Sequence, residues 1–303
     1  MAQRIVVLAG GTGGAKLARG MLDVVGDRLT VIANTADDIE IYGAYVSPDP
    51  DLVTFWLADR IDERGWGLRD DTFAVMDGLR ELGVDVWFAL GDRDLAIGIQ
   101  RARRLADGAR LTEALAELGA ALGVRAQVLP MSDERVRTWV RAGDDWMPFQ
   151  EFMIRAGAEA PVQSTQLRGV QEALPPAEAL EAIAAARAII IGPSNPVVSI
   201  GPILTVPEMR QALLDSPAPI VAVSPIVGGA VLKGPTAAFM RWAGHDASTD
   251  AIAACYAGLI DGLVADEPVD GLPVLQTDTL MSDAASRRRL AGQTLAFAEG
   301  LAA

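Results

Sequence analysis

Three short apolar runs, rich in β-branched residues, each break into a glycine-rich turn, and this repetition constrains the fold more than any other feature of the chain. Arg4-Ile5-Val6-Val7-Leu8 runs into Gly10-Gly11-Thr12-Gly13-Gly14-Ala15-Lys16. Ala188-Ile189-Ile190-Ile191 runs into Gly192-Pro193-Ser194-Asn195-Pro196, and Ile220-Val221-Ala222-Val223 into Ser224-Pro225-Ile226-Val227-Gly228-Gly229. Apolar runs of this length without alternation read as strands covered on both faces, as in parallel sheets. The turns then sit at the carboxyl ends of the strands, where open α/β sheets hold their ligands. Lys16 and Lys233, which follow the first and third runs, are the only lysines in the chain. Together these features suggest a pocket for a phosphate-bearing small molecule.

The rest of the pattern extends that picture. Ala15 to Val25 reads as a helix and Leu29 to Ala33 as a second strand, closing on Asn34-Thr35-Ala36-Asp37-Asp38; a loop spans Tyr42 to Asp51. Leu111, Leu115, Leu118 and Leu122 recur at helical spacing, with Thr112 as N-cap and Gly123 as stop. Asp71 to Leu82 predicts another helix, Ala126 to Leu129 a strand, and Trp146 to Ile154 a further strand. From Pro175 the alternation resumes: helix Ala177–Arg187, a helix opened by Pro207, a helix after Lys233-Gly234-Pro235, one capped by Ser248 and running to Leu259, strand Leu263–Asp266, and a C-terminal helix from Asp283. The expected fold is α/β: a doubly wound, mostly parallel Rossmann-like sheet in a single domain of 303 residues. Its core comes from about 1–55 and 175–303, with a mostly helical insertion over about 56–174.

A formal charge of −14 argues against a nucleic-acid backbone as partner, because such binding relies on clustered cations. The one cysteine, Cys255, permits no intrachain disulfide and reads as a buried thiol on an alanine-rich helix. There is no signal-peptide succession and no apolar stretch near the roughly 20 residues that span a bilayer. These features predict a cytoplasmic protein that engages no membrane.

Amide groups at a helix start, with glycines allowing close approach, make an anion site, and Lys16 adds a positive charge one turn in. The spacing is not that of the P-loop, and the dinucleotide fingerprint is imperfect, since Lys16 stands at its third glycine. A tight turn with glycines for packing alone is the competing reading. Asp37, Asp38, Asp49 and Asp51 crowd two loops after one strand, which suits Mg²⁺ held with phosphate oxygens; turn chemistry explains the same residues without a metal. Arg93, in Leu90-Gly91-Asp92-Arg93-Asp94, suits a bidentate grip on phosphate or an internal ion pair. Trp66, in Arg64-Gly65-Trp66-Gly67, offers a stacking face to a flat heteroaromatic group, whereas Trp56 and Trp87 read as core. His245, the only histidine, reads as a helix-end residue, and no nucleophilic triad or zinc spacing stands out.

Taken in order, these motifs resemble the 2-phospho-L-lactate transferase family over nearly the whole chain. Ser47-Pro48-Asp49-Pro50-Asp51, Leu129-Pro130-Met131-Ser132-Asp133, Phe149-Gln150-Glu151, the run Gly192 to Leu204, Ser224-Pro225-Ile226 and Lys233-Gly234-Pro235 complete the series. The resemblance implies a step in making the deazaflavin coenzyme F420. A phospholactyl group, or a phosphoenolpyruvyl or phosphoglyceryl counterpart, passes from a guanosine diphosphate-linked donor to the ribityl hydroxyl of the deazaflavin Fo. GMP leaves, Mg²⁺ is required, and the protein is a homodimer. It implies Asp37 and Asp51 as metal ligands and catalytic carboxylates. Gly11, Thr12, Gly13, Gly14, Lys16, Ser194, Asn195 and Lys233 fall to the donor, and Asp49, Trp66 and Arg93 to the acceptor. Two departures stand out: Ile97-Gly98 where members usually carry Thr-His, and Pro50 where Leu is usual. Two other classes compete. One is a nucleotide-sugar-binding regulator of the related gluconeogenesis-factor-like family; the other is an NAD-linked oxidoreductase, disfavoured by Lys16.

Overall fold

The computed structural model describes residues 3–158, 160–231 and 234–302. Seven strands form one parallel sheet: β1 (Arg4–Ala9), β2 (Leu29–Ala33), β3 (Gln127–Pro130), β4 (Ala186–Ile191), β5 (Ile220–Val223), β6 (Gly262–Ala265) and β7 (Val274–Gln276). They lie in the order β7-β6-β5-β4-β1-β2-β3. From β1 the chain builds outward to β3, then crosses to the other side of β1 and continues from β4 to β7. This is the doubly wound Rossmann order with one more strand, and its direction reverses between β1 and β4.

Period-two geometry explains why the strands are apolar throughout. Ile5, Val7, Ala9, Ala188 and Ile190 enter a core on one face, with Val6, Leu8, Ile189 and Ile191 in the core on the other. The first core is covered by α1 (Gly11–Val25), α2 (Pro48–Leu57) and the C-terminal helix Ala284–Leu301. Helix α1 begins inside the glycine turn, four residues before the expected Ala15. Gly11 enters at φ +66°, and a Cβ on Gly13 would stand 2.0 Å from the Pro193 carbonyl oxygen. The turns after β1 and β4 therefore interlock, and only residues without side chains allow the helix to start so close.

Residues 56–174 contribute more than helices. They supply edge strand β3, a three-stranded antiparallel sheet (Arg137–Ala142, Asp145–Pro148, Val162–Arg168), and helices that include α3 (Asp92–Ala106). The strand expected over Trp146–Ile154 ends at Pro148, and Phe149–Ile154 is helical. The loop expected over Tyr42–Asp51 is a hairpin end followed by α2, whose first turn carries Pro48, Asp49, Pro50 and Asp51. Proline and acidic residues are at home in a first helical turn, so the signals taken for a loop were those of a helix start. Thr112 lies within the helix Leu111–Ala121 instead of capping it, and donates its amide to Asp133 Oδ1 over 2.7 Å. Helix Ala177–Ala184 is shorter than expected, because Ala186 and Arg187 already belong to β4. The helix capped by Ser248 stops at Cys255, and among the described residues no helix is long and apolar enough to cross a membrane.

Candidate active site

A cavity of about 850 Å³ opens where the carboxyl ends of β1 and β4 part. One wall is the turn after β1 with the start of α1, contributing Gly10 to Gly13 and Lys16. The turn after β4 adds Pro193, Ser194 and Asn195, and the turn after β5 adds Ser224 and Pro225. Asp37 comes from the end of β2 and Asp49 from the first turn of α2, with Trp66 beyond. The helix Phe149–Ile154 and the loop Thr279–Ser282 close the remaining sides; neither was assigned to the site from sequence. Its size and its position at the switch point suit a small-molecule ligand.

Of the residues expected at the donor side, Gly11, Thr12, Gly13, Lys16, Ser194 and Asn195 line this space. Gly14 lies beneath it: a Cβ there would stand 2.7 Å from Ser194 Oγ. Lys233 falls outside the described residues, although its neighbours Gly234 and Pro235 line the cavity. Gly10 donates its amide to Ser194 Oγ at 3.2 Å. Gly11 donates its amide to Asp49 Oδ1 at 2.7 Å, and Asn34 Nδ2 donates to Asp49 Oδ2 at 3.0 Å. The first free amide of α1 thus meets a carboxylate of the protein's own, a favourable charge at a helix N-terminus. Lys16 Nζ donates to the Met281 carbonyl oxygen at 3.2 Å and stands 5.8 Å from the centre of the Trp56 ring, tying α1 to the loop after β7.

The carboxylates separate into two environments. Asp37, Asp38 and Asp49 are all buried. Burial holds Asp37 well above the ordinary carboxylate range, and the negative charges of Asp49 and Asp38 push it further the same way. Burial raises Asp38 to about 7 against the pull of Arg137 and of the Ser47 hydroxyl, which donates to Asp38 Oδ1 at 2.8 Å. Burial raises Asp49 to about 6, against the hydrogen bonds from Gly11 and Asn34. Asp51, expected beside Asp37, is not among the cavity-lining residues. Its carboxylate is gripped by both terminal nitrogens of the buried Arg101, with Nη1 at 3.1 Å from Oδ2 and Nη2 on Oδ1. Arg101 was missed because nothing in sequence distinguishes it from Arg103 and Arg104 on the same helix.

Trp66 is 48% exposed, and the Arg64 guanidinium lies 4.2 Å from the centre of its ring. Arg93 does not reach the cavity: it is exposed, and its amide, at the start of α3, donates to the Asp71 carboxylate. Its neighbour Asp94 is driven up to about 7 by burial and by the charges of Asp51 and Asp71. His245 occupies the turn that ends the helix Thr236–Trp242, away from the cavity lining. Cys255 is half-buried, and burial pushes its thiol up.

Three cavity-lining residues hold a buried polar atom with no hydrogen-bond partner among the described residues: Asp37 Oδ1, Asn195 Nδ2 and Thr279 Oγ1. Unsatisfied buried groups are few in native proteins, and here an acceptor, a donor and a hydroxyl border one cavity. No group of three or more His, Cys, Asp or Glu side chains converges to hold a cation among the described residues. Asp37, with the charge of Asp49 nearby, is the one lining carboxylate with a buried oxygen left unpartnered.

A Rossmann-ordered sheet with a glycine-started helix, a lysine and buried carboxylates around its switch point defines a ligand-binding α/β protein suited to a phosphorylated molecule. Comparison with known proteins narrows the class. The model of the family described as 2-phospho-L-lactate transferase CofD matches residues 5–283. A 2-phospho-L-lactate transferase from Methanosarcina mazei is 38% identical over 298 residues, covering 95% of this chain and 98% of that one. A phosphoenolpyruvate transferase from Kitasatospora aureofaciens is 40% identical over 314 residues, covering 98% of each. The crystal structure of a UPF0052 family member from Bacillus halodurans superposes with a TM-score of 0.61 at 18% identity, covering 97% of this chain and 99% of that one, and shows the fold is shared. The chain belongs to the 2-phospho-L-lactate transferase CofD family.

Proposed function

We propose that this protein is a transferase of coenzyme F420 biosynthesis. It moves a 2-phospholactyl group, or its phosphoenolpyruvyl or phosphoglyceryl counterpart, from a guanosine diphosphate-linked donor to the terminal ribityl hydroxyl of the deazaflavin Fo. The observation that carries this reading is the switch-point cavity, where the start of α1, Lys16, Asp37 and Trp66 line one space. The family membership supports the same reaction class.

In the step itself the hydroxyl oxygen bonds to the phosphorus bearing the three-carbon acid. The bond from that phosphorus to the bridging oxygen breaks, and the oxygen leaves with GMP. The hydroxyl proton needs an acceptor, and with His245 elsewhere the lining carboxylates Asp37 and Asp49 are the side chains at hand. Asp37 is our choice, because it lines the cavity and its Oδ1 has no hydrogen-bond partner among the described residues. Lys16 places positive charge beside the diphosphate, and the exposed face of Trp66 offers the flat deazaflavin a stacking surface. Mg²⁺ takes one or two carboxylates and completes its shell with water and phosphate oxygens. The unpartnered Asp37 Oδ1 beside Asp49 fits that demand, whereas both oxygens of Asp51 lie on Arg101. Asp37 would therefore hold the ion, which when bound supplies charge neutralisation on the transferring phosphate.

The test is incubation with Fo, Mg²⁺ and each of the three guanosine diphosphate-linked donors, followed by mass analysis. We expect GMP and acid-bearing Fo in equal amounts with one or more donors, and no GMP without Fo. No product from any donor sinks the proposal. Tight binding of a uridine diphosphate sugar without binding of Fo would turn it toward the regulatory reading.

A further inference from the structure

Arg101 takes no part in the chemistry above, yet it is 3% exposed and the one arginine or lysine fully buried among the described residues. Three observations converge on it. Its guanidinium grips Asp51 with both terminal nitrogens, and Nη1 also donates to the Tyr45 carbonyl oxygen at 3.0 Å. Asp51 shares the first turn of α2 with Asp49, whose two oxygens accept from Gly11 and Asn34 at the cavity. Leu95, Gly98 and Arg101 form one buried face of α3, as their spacing of three dictates. A Cβ on Gly98 would stand 2.9 Å from Ala44 Cβ and 3.2 Å from the Tyr45 carbonyl oxygen. The glycine thus lets α3 lie against the segment Ala44–Val46, and that approach brings the guanidinium within reach of both partners. A planar fork suits such a double grip, and a lysine cannot reproduce it.

We infer that Arg101 is a positioning residue: by clamping Asp51 and the Tyr45 carbonyl it fixes the first turn of α2, and so sets Asp49 against the Gly11 amide at the start of α1. The inference rests on the transferase reading for its kinetic consequence, but not for its structural one. Asp49 is held from two sides, by Gly11 and Asn34 in front and through its own helix by Arg101 behind. Loss of the rear anchor lets the turn shift, and a shift of about 1 Å at a reacting centre lowers rate by roughly 100-fold.

The test compares full-length wild type with Arg101→Ala, Arg101→Met and Arg101→Lys. One arm follows amide hydrogen exchange at Gly11 against the β4 amides Ile189 to Ile191, and the other follows transfer kinetics with Fo. We expect each variant to exchange Gly11 at least about tenfold faster with β4 unchanged, and kcat to fall about 100-fold while KM for Fo stays within about threefold. Guanidinium ion added to Arg101→Ala should return at least about tenfold of the lost rate and slow Gly11 exchange. Unchanged Gly11 exchange in a folded variant, or loss that guanidinium does not reverse, overturns the inference. If the apolar variants fail to fold, Arg101→Lys, which keeps the charge and loses the fork, decides it by the same measurements. A wild type without transfer activity would sink the functional reading, while Gly11 exchange would still decide the role of Arg101.

Discussion

Where β1 and β4 leave the sheet, the cavity wall is backbone and small side chains: Gly10, Gly11, Gly13, Pro193 and Ser194. Where β2 leaves it, the wall is backed by buried charge: Asp37, Asp38, Asp49, Arg101 and the part-buried Arg137. The first side is shaped chiefly by steric exclusion, with Lys16 the charged group it adds. The second is held by ion pairs and amide donors, and burial raises Asp38 to about 7 and Asp49 to about 6 and holds Asp37 well above the ordinary carboxylate range. A fold that places its rigid side at the switch point and its titratable side beside it separates shape from chemistry. Damage to the first should register as stability, and damage to the second as activity or pH dependence.

The largest expected effect falls on the charged side. Asp37→Asn keeps the shape of the side chain and removes the base, so GMP release should fall about 1,000-fold, roughly 4 kcal/mol of barrier, with the thermal transition unchanged or raised. Retained turnover in that variant would move the chemistry elsewhere. On the apolar side, Gly13→Ala forces a Cβ toward the Pro193 carbonyl oxygen and should destabilise the fold by about 3 kcal/mol in urea unfolding. Gly11→Ala meets no neighbour within 4 Å and bears only the strain of its positive φ, so about 1 kcal/mol is expected.

The pH dependence of stability sharpens the contrast. An acid whose native pKa lies above its unfolded value stabilises the fold at low pH, and the contribution is lost as pH rises through the native pKa. Asp94, raised from 3.8 to about 7, should therefore remove stability as pH climbs from about 4 to about 7. Asp94→Asn should flatten that part of the curve by about 2 kcal/mol between about pH 5 and pH 7, read from urea midpoints. An unaltered slope would mean the carboxylate is solvated in the native state. The smallest effect belongs to Trp66→Ala, which should raise KM for Fo about fivefold with kcat nearly unchanged, since a stacking contact contributes about 1 kcal/mol. A fall in kcat instead would place Trp66 closer to the reacting atoms.

Much of the apolar side was legible from the chain alone. An unbroken run such as Ile189-Ile190-Ile191 can be buried only with both faces covered, and the glycine turns that follow such runs fall at the ligand edge by topology. The charged side was legible only as a list of acids. Asp49 and Asp51 are two residues apart in one helical turn, which points them in different directions, so one reaches the cavity and the other reaches Arg101. Asp-Pro spacing serves a loop and a helix start equally well, which is why that turn was misread. Arg93 looked like a phosphate ligand beside two acids, but its backbone is used in starting α3 and its side chain faces outward. The Thr279–Ser282 wall carried no signal, since four residues of mixed polarity before a capped helix have many settings.

The sequence by itself determined the parallel sheet, the turns at its ligand edge and the family, because hydrophobic burial and glycine sterics are local demands written in consecutive residues. Only the tertiary structure decided which aspartate faces the cavity, which arginine of α3 is buried, and that α1's first amide is capped from within. Those outcomes depend on how separate elements approach one another, and the energy of a charge depends on its surroundings far more than on its neighbours along the chain.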